Sequence, residues 1–561
     1  MKDEADAKQL IAFAQSLAGD RGVWDAHYQD VRDYIALYAG NFTGSNTPGV
    51  KDRGLVYDNS AESISEELTA WIHGALCPPG IRWHGLRAVE SERMSDYPAQ
   101  MWTEEVARRM FACYDSARSG FQIAIGESLR DNVDFGTAAL YVEDRPGDLP
   151  RYCARPMSAT YCAEGAYGEL DTVASKYDLT ASQAVERFGD KCPAKVLEAA
   201  ADPAKSHVEK FVFWHLTFPR AAAPQRILSL PALSTAKNRP FASVWVCEKP
   251  EAVVASGGYY TRAMIVGRWA RRTGEIYGRG CGMKALPDTK MLQRSVKATI
   301  KGAEHTADPA LMLSDDGVVG GKKLNRRPSA INYMEPDAMN GPGDPVRQLP
   351  GGNPGIGHEF DESVRERMRN AYFLHLLRLP QEPRITLGHI LELVEQRMTV
   401  MGPFLGRVQY EQLAPTAERT YDTLLRAGAF PPPPPALEGA ELKVEYESPA
   451  SKTQRIAEAS AIVKLWESTR ELRAERPDVL DNMDLDGQVR HVATQLGVPV
   501  QFLTPPNMMR QVRAARANAN AEQVEIDQAD TAAGAAQKLA QAAAAARGPQ
   551  GGASGGQRAA A

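Results

Sequence analysis

The chain has 561 residues, of which 43% are hydrophobic and 24% are charged. That balance is typical of a globular protein with a sizeable core, and the length allows roughly two to four domains. The formal net charge of −5 excludes a protein that coats nucleic acid by charge alone. Seven scattered cysteines without a CxxC pair predict neither a disulfide framework nor a zinc site. Because no run of about 18 apolar residues occurs, we expect no membrane-spanning helix.

The first half of the chain combines helical segments with a later section of strands. Helical spacing of apolar residues predicts two helices within residues 5–40, one through Leu68 and Leu76, and others near 99–117 and 121–133. From residue 137 the pattern changes to that of strands, at 137–143, 150–156, 208–217, 242–248 and 259–267, with a short helix near 181–188. The expected fold class is α+β, mainly α.

Two predicted helices enclose a compact insertion in the next part of the chain. The first begins at Met283 and fades near Asp308, and the second runs over residues 359–377. Residues 314–358 between them are rich in Gly, Pro and Asn, with a possible strand at 330–334. We therefore expect a stalk of two helices that carries a small head.

A basic stripe lies on one face of the 283 helix. Its members recur at steps of three and four residues: Lys290, Arg294, Lys297 and Lys301. Such a stripe is usually a solvated face, but in an assembly it can pair with acids on a neighbouring subunit or face DNA. Residues 283–377 carry about as many acids as bases, so solvation or subunit pairing is favoured over DNA contact.

A proline-bounded loop precedes one long helix. The two prolines of residues 378–384 exclude a continuous helix there. Apolar residues then follow an alternating three- and four-residue step, at Leu391, Val394, Met398, Met401, Leu405 and Val408. Gly402 and Pro403 interrupt this pattern without ending it. The sequence predicts a helix over about 386–427 that kinks at this pair.

The C-terminal part begins with a stiff connector of five prolines at 431–435. A strand is predicted at 442–446 and a helical module at about 450–503. The Ala-rich residues 505–547 are expected to be helical within an assembly, and the last dozen residues to be disordered.

Motifs for catalysis are incomplete. Residues 317–323 (GVVGGKK) resemble a phosphate-binding loop, but Asp316 replaces its first Gly and Lys323 replaces its Ser or Thr. The Gly-rich residues 278–282 lack the full GxGxxG spacing and are better explained by a tight turn before the 283 helix. The ten histidines are dispersed. We therefore predict no enzyme, no cofactor and no metal site.

Several segments together resemble one family, the portal or head-to-tail connector proteins of short-tailed bacteriophages (podoviruses). The similar segments are 57–60 (YDNS), 78–83 (PPGIRW), 134–138 (DFGTA), 267–280, 283–288 (MKALPD), 401–407 (MGPFLGR) and 424–428. Their order and spacing cover roughly residues 20–505. The chain has Asn59-Ser60 where such families often have Ser or Thr after the Asp.

The resemblance implies a portal fold with a wing, a stem, a clip, a helical crown and a long kinked helix after a tunnel loop. By order along the chain, residues 1–282 and 386–446 are the wing, 283–305 and 359–377 the stem helices, and 306–358 the clip. Residues 378–385 are the tunnel loop, 447–505 the crown and 506–561 a partly disordered tail.

The resemblance also implies a ring, usually of twelve subunits, at one vertex of the capsid. Double-stranded DNA passes through it during packaging and ejection without being read by sequence. The implied partners are the terminase large subunit, the major capsid protein and scaffold, and the tail adaptor and tail proteins. The implied location is the virion, with assembly in the host cytoplasm.

In this scheme the tunnel loop lines the narrowest part of the channel, with Arg378, Gln381, Glu382 and Arg384 as its polar residues. Arg378 and Arg384 either lie nearest the phosphates or pair with acids, and both alternatives stay open. Two other classes compete with the portal hypothesis: a different structural or scaffold protein of a virion, and a DNA-processing enzyme.

Overall fold

The computed structural model describes residues 2–47, 49, 54–145, 147–220, 239–314, 325, 327–334, 346–348, 354–377, 387–446, 458–469, 483–498 and 500–546. These residues fall into two units: residues 1–90 with 102–457, and residues 91–101 with 458–561. Helices make up the larger share of the described elements, and most strands are grouped in antiparallel sheets, which confirms the α+β, mainly α class. Among the described helices, none combines the length and apolarity that crossing a membrane requires.

The first unit begins with helices and continues into antiparallel sheets. The early helices are α1 (Lys2–Asp20), α2 (Gly22–Tyr34), α3 (Ser60–Leu76), α4 (Tyr97–Asp115) and α5 (Phe121–Phe135), with α6 (Ala181–Phe188) and α7 (Ala194–Ala201) among the strands. The strands are β1 (His84–Ala88), β2 (Thr137–Glu143), β3 (Arg151–Arg155), β4 (Thr160–Glu164), β5 (Leu170–Thr180), β6 (Lys210–Pro219), β7 (Phe241–Cys247), β8 (Ala252–Tyr259) and β9 (Met264–Arg268).

The five-stranded sheet β4-β5-β6-β7-β8 packs buried side chains on both of its faces. Side chains alternate across a strand, so Trp214 and Leu216 pack with α1 on one face while Phe211 and Phe213 pack with α6 and α7 on the other. Because helices cover both faces, β6 is apolar along nearly its whole length. The first unit also contains a second sheet, with the strand order β3-β2-β9.

The second half of the unit contains the paired helices and the long helix. Its helices are α8 (Cys281–Ala307), α9 (Pro354–Ala371), α10 (Leu374–Leu377), α11 (Leu387–Val408) and α12 (Ala414–Arg426). Between α8 and α9 lies a small sheet, β11-β10-β12, made of β10 (Leu311–Ser314), β11 (Ile331–Met334) and β12 (Val346–Gln348). Strand β13 (Leu442–Tyr446) pairs with β1. The predicted arrangement of two helices around a turn-rich insertion is confirmed for the described residues.

Two helix predictions need correction. The sequence predicted one helix over 359–377, but α9 begins at Pro354 and ends at Ala371. It ends there because Phe373 has φ +59, a left-handed conformation that no continuous α-helix contains. The second correction concerns the long helix, in which Gln409–Leu413 forms a π-helical turn between α11 and α12.

The second unit is helical. Residues 458–469 are helical, followed by α13 (Leu485–Gln495) and the 41-residue α14 (Pro506–Ala546). Asp484 caps α13, with its carboxylate accepting a hydrogen bond from the Gly487 N–H at 2.9 Å. Arg513 of α14 donates to Asp486 at 2.6 Å. The helical prediction for 505–547 is confirmed for the described residues, whereas the last dozen residues lie outside them.

Candidate functional site

Helices α8 and α9 run antiparallel along each other. Asp288 near the start of α8 pairs with Arg367 near the end of α9, at 3.5 Å from Oδ1 to Nε. Farther along α8, the Thr299 hydroxyl donates to Asp361 of α9 at 3.5 Å. Residue numbers therefore rise on one helix as they fall on the other. The small sheet β10-β12 occupies the end of the pair where α8 finishes and α9 begins.

The segment Tyr57-Asp58 joins both of these helices to α3. The backbone N–H groups of Tyr57 and Asp58 donate to Oε1 of Gln293 on α8, at 2.6 and 2.9 Å, and Gln293 Nε2 donates back to the Asp58 carbonyl at 2.7 Å. Gln293 is buried. A glutamine can satisfy donors and acceptors at once, so one buried side chain holds this backbone in place.

The carboxylate of Asp58 completes this contact. Its Oδ1 accepts the N–H of Ser60 at 2.8 Å, and its Oδ2 accepts from Arg365 Nη2 of α9 at 2.8 Å. Burial raises the pKa of Asp58, but the hydrogen bonds from Ser60 and Arg365 outweigh it, and the net pKa lies below its ordinary value. Asp58 therefore stays ionised and binds α9 to the start of α3.

Glycine backbones meet where α5 ends and α8 begins. Gly136 has φ +79, and a Cβ placed on it would lie 2.2 Å from the backbone nitrogen of Gly280. A Cβ placed on Gly278 would be equally close to the backbone of Gly136. The Gly278 N–H donates to the Thr137 hydroxyl at 2.8 Å. Gly278 and Gly280 were predicted to form only a tight turn. They also allow a backbone-to-backbone contact that no side chain would permit.

Two carboxyl groups are buried beside this contact. The Tyr38 hydroxyl lies 3.0 Å from Asp131 Oδ1 and 3.3 Å from Asp134 Oδ2. Ser65 donates to Asp134 Oδ1 at 2.6 Å, and the Tyr372 hydroxyl lies 3.4 Å from the same Oδ1. Burial raises the pKa of Asp131 to about 7 and that of Asp134 to about 6. The end of α9 at Tyr372 is thus bonded to a group that titrates near neutral pH.

The π-helical turn holds a buried ion pair. Arg268 of β9 is 3% exposed, and it donates from Nε and Nη2 to the two oxygens of Glu411 at 3.0 Å each. Its backbone N–H also donates to Glu411 at 3.0 Å. The next residue of the turn, Gln412, donates to Ser128 of α5 at 2.6 Å. The π turn widens the helix locally, so two consecutive residues reach the core.

Gly402 and Pro403 lie inside α11, directly before an aromatic contact. Phe404 stacks on Trp269 with ring centroids 5.1 Å apart and the planes 10° apart. Phe404 also contacts Phe373, with centroids 5.5 Å apart. The interrupted part of the long helix therefore packs against the segment where α9 ends. That α11 kinks at this pair stays a prediction.

The other predicted site residues fall into two groups. On α8, Lys290 pairs with Asp30 at 2.8 Å and Lys297 lies over the Tyr57 ring at 5.0 Å, while Arg294 and Lys301 are exposed. The four tunnel-loop residues, Arg378, Gln381, Glu382 and Arg384, lie outside the described residues. Within the described residues, no group of three or more His, Cys, Asp or Glu could hold a metal ion.

Four of the segments that carried the resemblance meet at the junction between the paired helices, the sheets and the long helix. They supply Asp58, Asp134 with Gly136, Arg268 with Trp269, and Phe404. Glu411, Gln293 and Arg365 were missed from the sequence because each acts on a residue more than a hundred positions away. The contacts at the junction, between side chains and backbone, hold the paired helices, the sheets and the long helix together.

Comparison with known proteins identifies the family. A model of the family described as "Bacteriophage head to tail connecting protein" matches residues 7–503. The chain is 25% identical over 530 residues to the "Probable portal protein" of Bordetella phage BPP-1, and the match covers 92% of both chains. It is 22% identical over 523 residues to the "Portal protein" of Salmonella phage epsilon15, again with 92% of both covered.

Solved structures give a weaker likeness. Chains from "Virion of native gene transfer agent (GTA) particle" and "Neck of native GTA particle computed with C12 symmetry" are each 12% identical to this chain with a TM-score of 0.34. The matches cover 77% and 75% of this chain and 94% and 92% of the others. We draw no argument from a TM-score this low.

The resemblance inferred from the sequence is thus confirmed. Both relatives are named as structural portal proteins, and neither name denotes an enzyme. Since the family model spans nearly the whole chain, this protein belongs to the family of bacteriophage head-to-tail connecting proteins.

Proposed function

We propose that this chain is a portal protein that forms a closed ring of twelve copies at one capsid vertex. Double-stranded DNA enters through the ring during packaging and leaves through it on ejection. The observation that carries this proposal is the family match over residues 7–503. In addition, two relatives named portal proteins are each matched over 92% of their own length. The role is structural, because connecting a head to a tail requires no catalysis.

The architecture supports an assignment of parts. Residues 283–305 and 359–377, which include most of α8 and α9, form the stem. Residues 306–358 form the clip, which docks the terminase motor and later the tail adaptor. Residues 1–282 and 386–446 form the wing. Its helices α3, α5 and α11 lie against the stem. Residues 447–505 form the crown, and 506–561 the tail, of which Pro506–Ala546 is helical.

The channel requires weak contact with DNA, since the duplex must slide. A formal net charge of −5 suits that requirement better than a strongly basic chain, which would hold DNA through its phosphates. We place residues 378–385 at the narrowest part of the channel. Arg378 and Arg384 are there either to face phosphates or to pair with Glu382 or an acid of the next subunit.

The partners follow from this position. The clip binds the terminase large subunit and then tail proteins, and the wing and crown contact the major capsid protein and scaffold. The ring assembles in the host cytoplasm and stays in the virion at the portal vertex.

Deletion of residues 315–350 tests the assignment of the clip. Because this segment lies outside the helix pair and the wing, the variant should still form rings, which native mass spectrometry would count. The same rings should no longer bind purified terminase large subunit or tail adaptor in a pull-down. Loss of rings in the variant, or unchanged binding of both partners, would contradict the assignment.

A further inference from the structure

We propose that neighbouring copies of this chain contact each other through opposite charges on the outer faces of α8 and α9. This inference rests on the proposed ring and names the surface that joins its subunits. The basic face consists of Lys290, Arg294, Lys297 and Lys301. The acidic face consists of Glu359, Glu362 and Glu366 of α9, all of them exposed.

The basic face points away from α9. At 3.6 residues per turn, its four members lie within about 60° of one another around the helix. Asp288 and Thr299, which contact α9, mark the opposite side of α8, about 160° away by the same spacing. The basic stripe is therefore on the outer side of the pair, where Arg294, Lys297 and Lys301 are exposed and Lys290 contacts α2.

The acidic face points the other way. Asp361 contacts α8 through Thr299, and Val364 and Met368 are buried on the same side of α9. The three glutamates lie about 160° from that side. A pair of helices that is basic on one outer face and acidic on the other can repeat side by side, with each copy presenting its basic face to the acidic face of the next. This is the geometry of a head-to-tail contact, which forms a ring when the rotation between successive copies closes.

Contacts within the chain leave both faces charged. On α8, Lys290 pairs with Asp30, while Arg294 and Lys301 have no ion-pair partner among the described residues. On α9, Arg365 pairs with Asp58 at 2.8 Å and with Glu362 at 3.0 Å, and Arg369 pairs with both Glu362 and Glu366 at 2.9 and 3.2 Å. Glu362 and Glu366 thus have arginine partners on their own helix, whereas Glu359 has no partner among the described residues.

The two faces also match in height. Because Thr299 lies level with Asp361 and Asp288 level with Arg367, Lys301 lies level with Glu359 and Arg294 with Glu362 and Glu366. A rotation about the ring axis leaves height along that axis unchanged. In a ring whose axis follows the helix pair, Lys301 of one copy therefore meets Glu359 of the next.

Charge reversal and charge exchange test this contact in the full-length protein. The variants are Lys301→Glu, Glu359→Lys and the double exchange, and the readout is the fraction of closed rings by mass photometry over about 50 to 500 mM NaCl. Each exposed pair is weak alone, but it recurs at each interface. We expect each single reversal to lower the NaCl concentration that dissociates half of the rings by about twofold or more. The double exchange should restore most of that loss.

Matched controls exclude a general effect of charge. Lys195→Glu and Glu198→Lys change exposed residues of α7 and should leave the dissociation midpoint unchanged. Since Glu304 lies three residues from Lys301 on α8, a second exchange of Arg294→Glu with Glu366→Lys repeats the test away from Glu304. Circular dichroism verifies that each variant is folded.

The outcomes separate this inference from the proposed function. If the wild-type chain forms rings but the single reversals leave the midpoint unchanged, or the double exchange recovers nothing, the contact is wrong and the ring stands. If Lys301→Glu rings keep their midpoint but retain less of a short DNA duplex, the basic face lines the channel and the inference is overturned. If the wild-type chain forms no rings, both the inference and the proposed function fail.

Discussion

Asp58 and Arg365 are 307 residues apart in the chain, yet Asp58 Oδ2 and Arg365 Nη2 lie 2.8 Å apart in the structure. Their ion pair joins the start of α3 to α9, while the backbone around Asp58 is hydrogen-bonded to Gln293 of α8. One short segment thus ties both members of the helix pair to the core. The junction therefore connects the helix pair to the rest of the unit.

Arg365→Ala should destabilise the folded chain by about 1.5 to 3 kcal/mol, because it removes a charge-assisted contact with a largely buried carboxylate. Arg367→Ala on the same helix is the matched control. Arg367 is 51% exposed and its pair with Asp288 is 3.5 Å long, so its loss should cost about 0 to 1 kcal/mol. Urea unfolding of both variants measures the difference, and equal effects would contradict a special role for Asp58.

The free energy of unfolding should depend on pH through Asp131. Its pKa is about 7 in the folded chain and 3.8 ordinarily, so between these values the folded state binds more protons than the unfolded state. Stability from this group therefore falls as pH rises through that range, by up to about 1.4 kcal/mol per pH unit.

Asp131→Asn removes this dependence. The stability of the variant relative to wild type should rise between about pH 5 and 7 and then level off. Asp58→Asn serves as the control, since the pKa of Asp58 is lowered and its carboxylate stays ionised over the same range. A constant difference between Asp131→Asn and wild type across this range would show that Asp131 is ionised in the folded protein.

Gly136→Ala should prevent normal folding or cost more than about 3 kcal/mol. The new methyl group would collide with backbone atoms of residues 279 and 280, and φ +79 is unfavourable for alanine. Gly302→Ala in α8 is the opposite case, because nothing lies within 4 Å of its added Cβ. That change should stabilise the helix by about 0.5 to 1 kcal/mol. Thermal unfolding of the two variants should move in opposite directions, and a Gly136→Ala protein as stable as wild type would contradict the close contact.

Glu411→Ala should cost about 1.5 to 3 kcal/mol, because the buried Arg268 loses its two-oxygen partner and keeps Glu164 at 3.3 Å. Tyr410→Ala in the same π turn is the control: its side chain is 71% exposed, and its loss should cost less than about 0.5 kcal/mol. Urea unfolding distinguishes them. If both changes cost the same, the π turn contributes only through its backbone.

Much of the secondary structure could be predicted from the sequence. Strand 137–143 and helix 181–188 match β2 and α6 residue for residue, because each has a clear boundary: Gly136 precedes the strand, and the capping box of Thr180 and Gln183 begins the helix. Strands β1, β4, β5 and β8 were missed. In β5 the buried residues do not alternate regularly, since both faces of its sheet are covered.

The junction was less predictable than the elements that form it. Phe373 ends α9 in a left-handed conformation, and phenylalanine gives no sequence signal for that geometry. Arg268 and Glu411 lie 143 residues apart, so neither spacing nor composition relates them. The resemblance to portal proteins identified most of the participating segments, but the contacts between them required the fold.

Electron microscopy of the purified full-length protein, without DNA or partners, tests the central claim most directly. Class averages should show closed rings with a central hole, and a count of twelve subunits in the end-on view. A sample that consists only of compact monomers, at any salt concentration, would contradict the portal account.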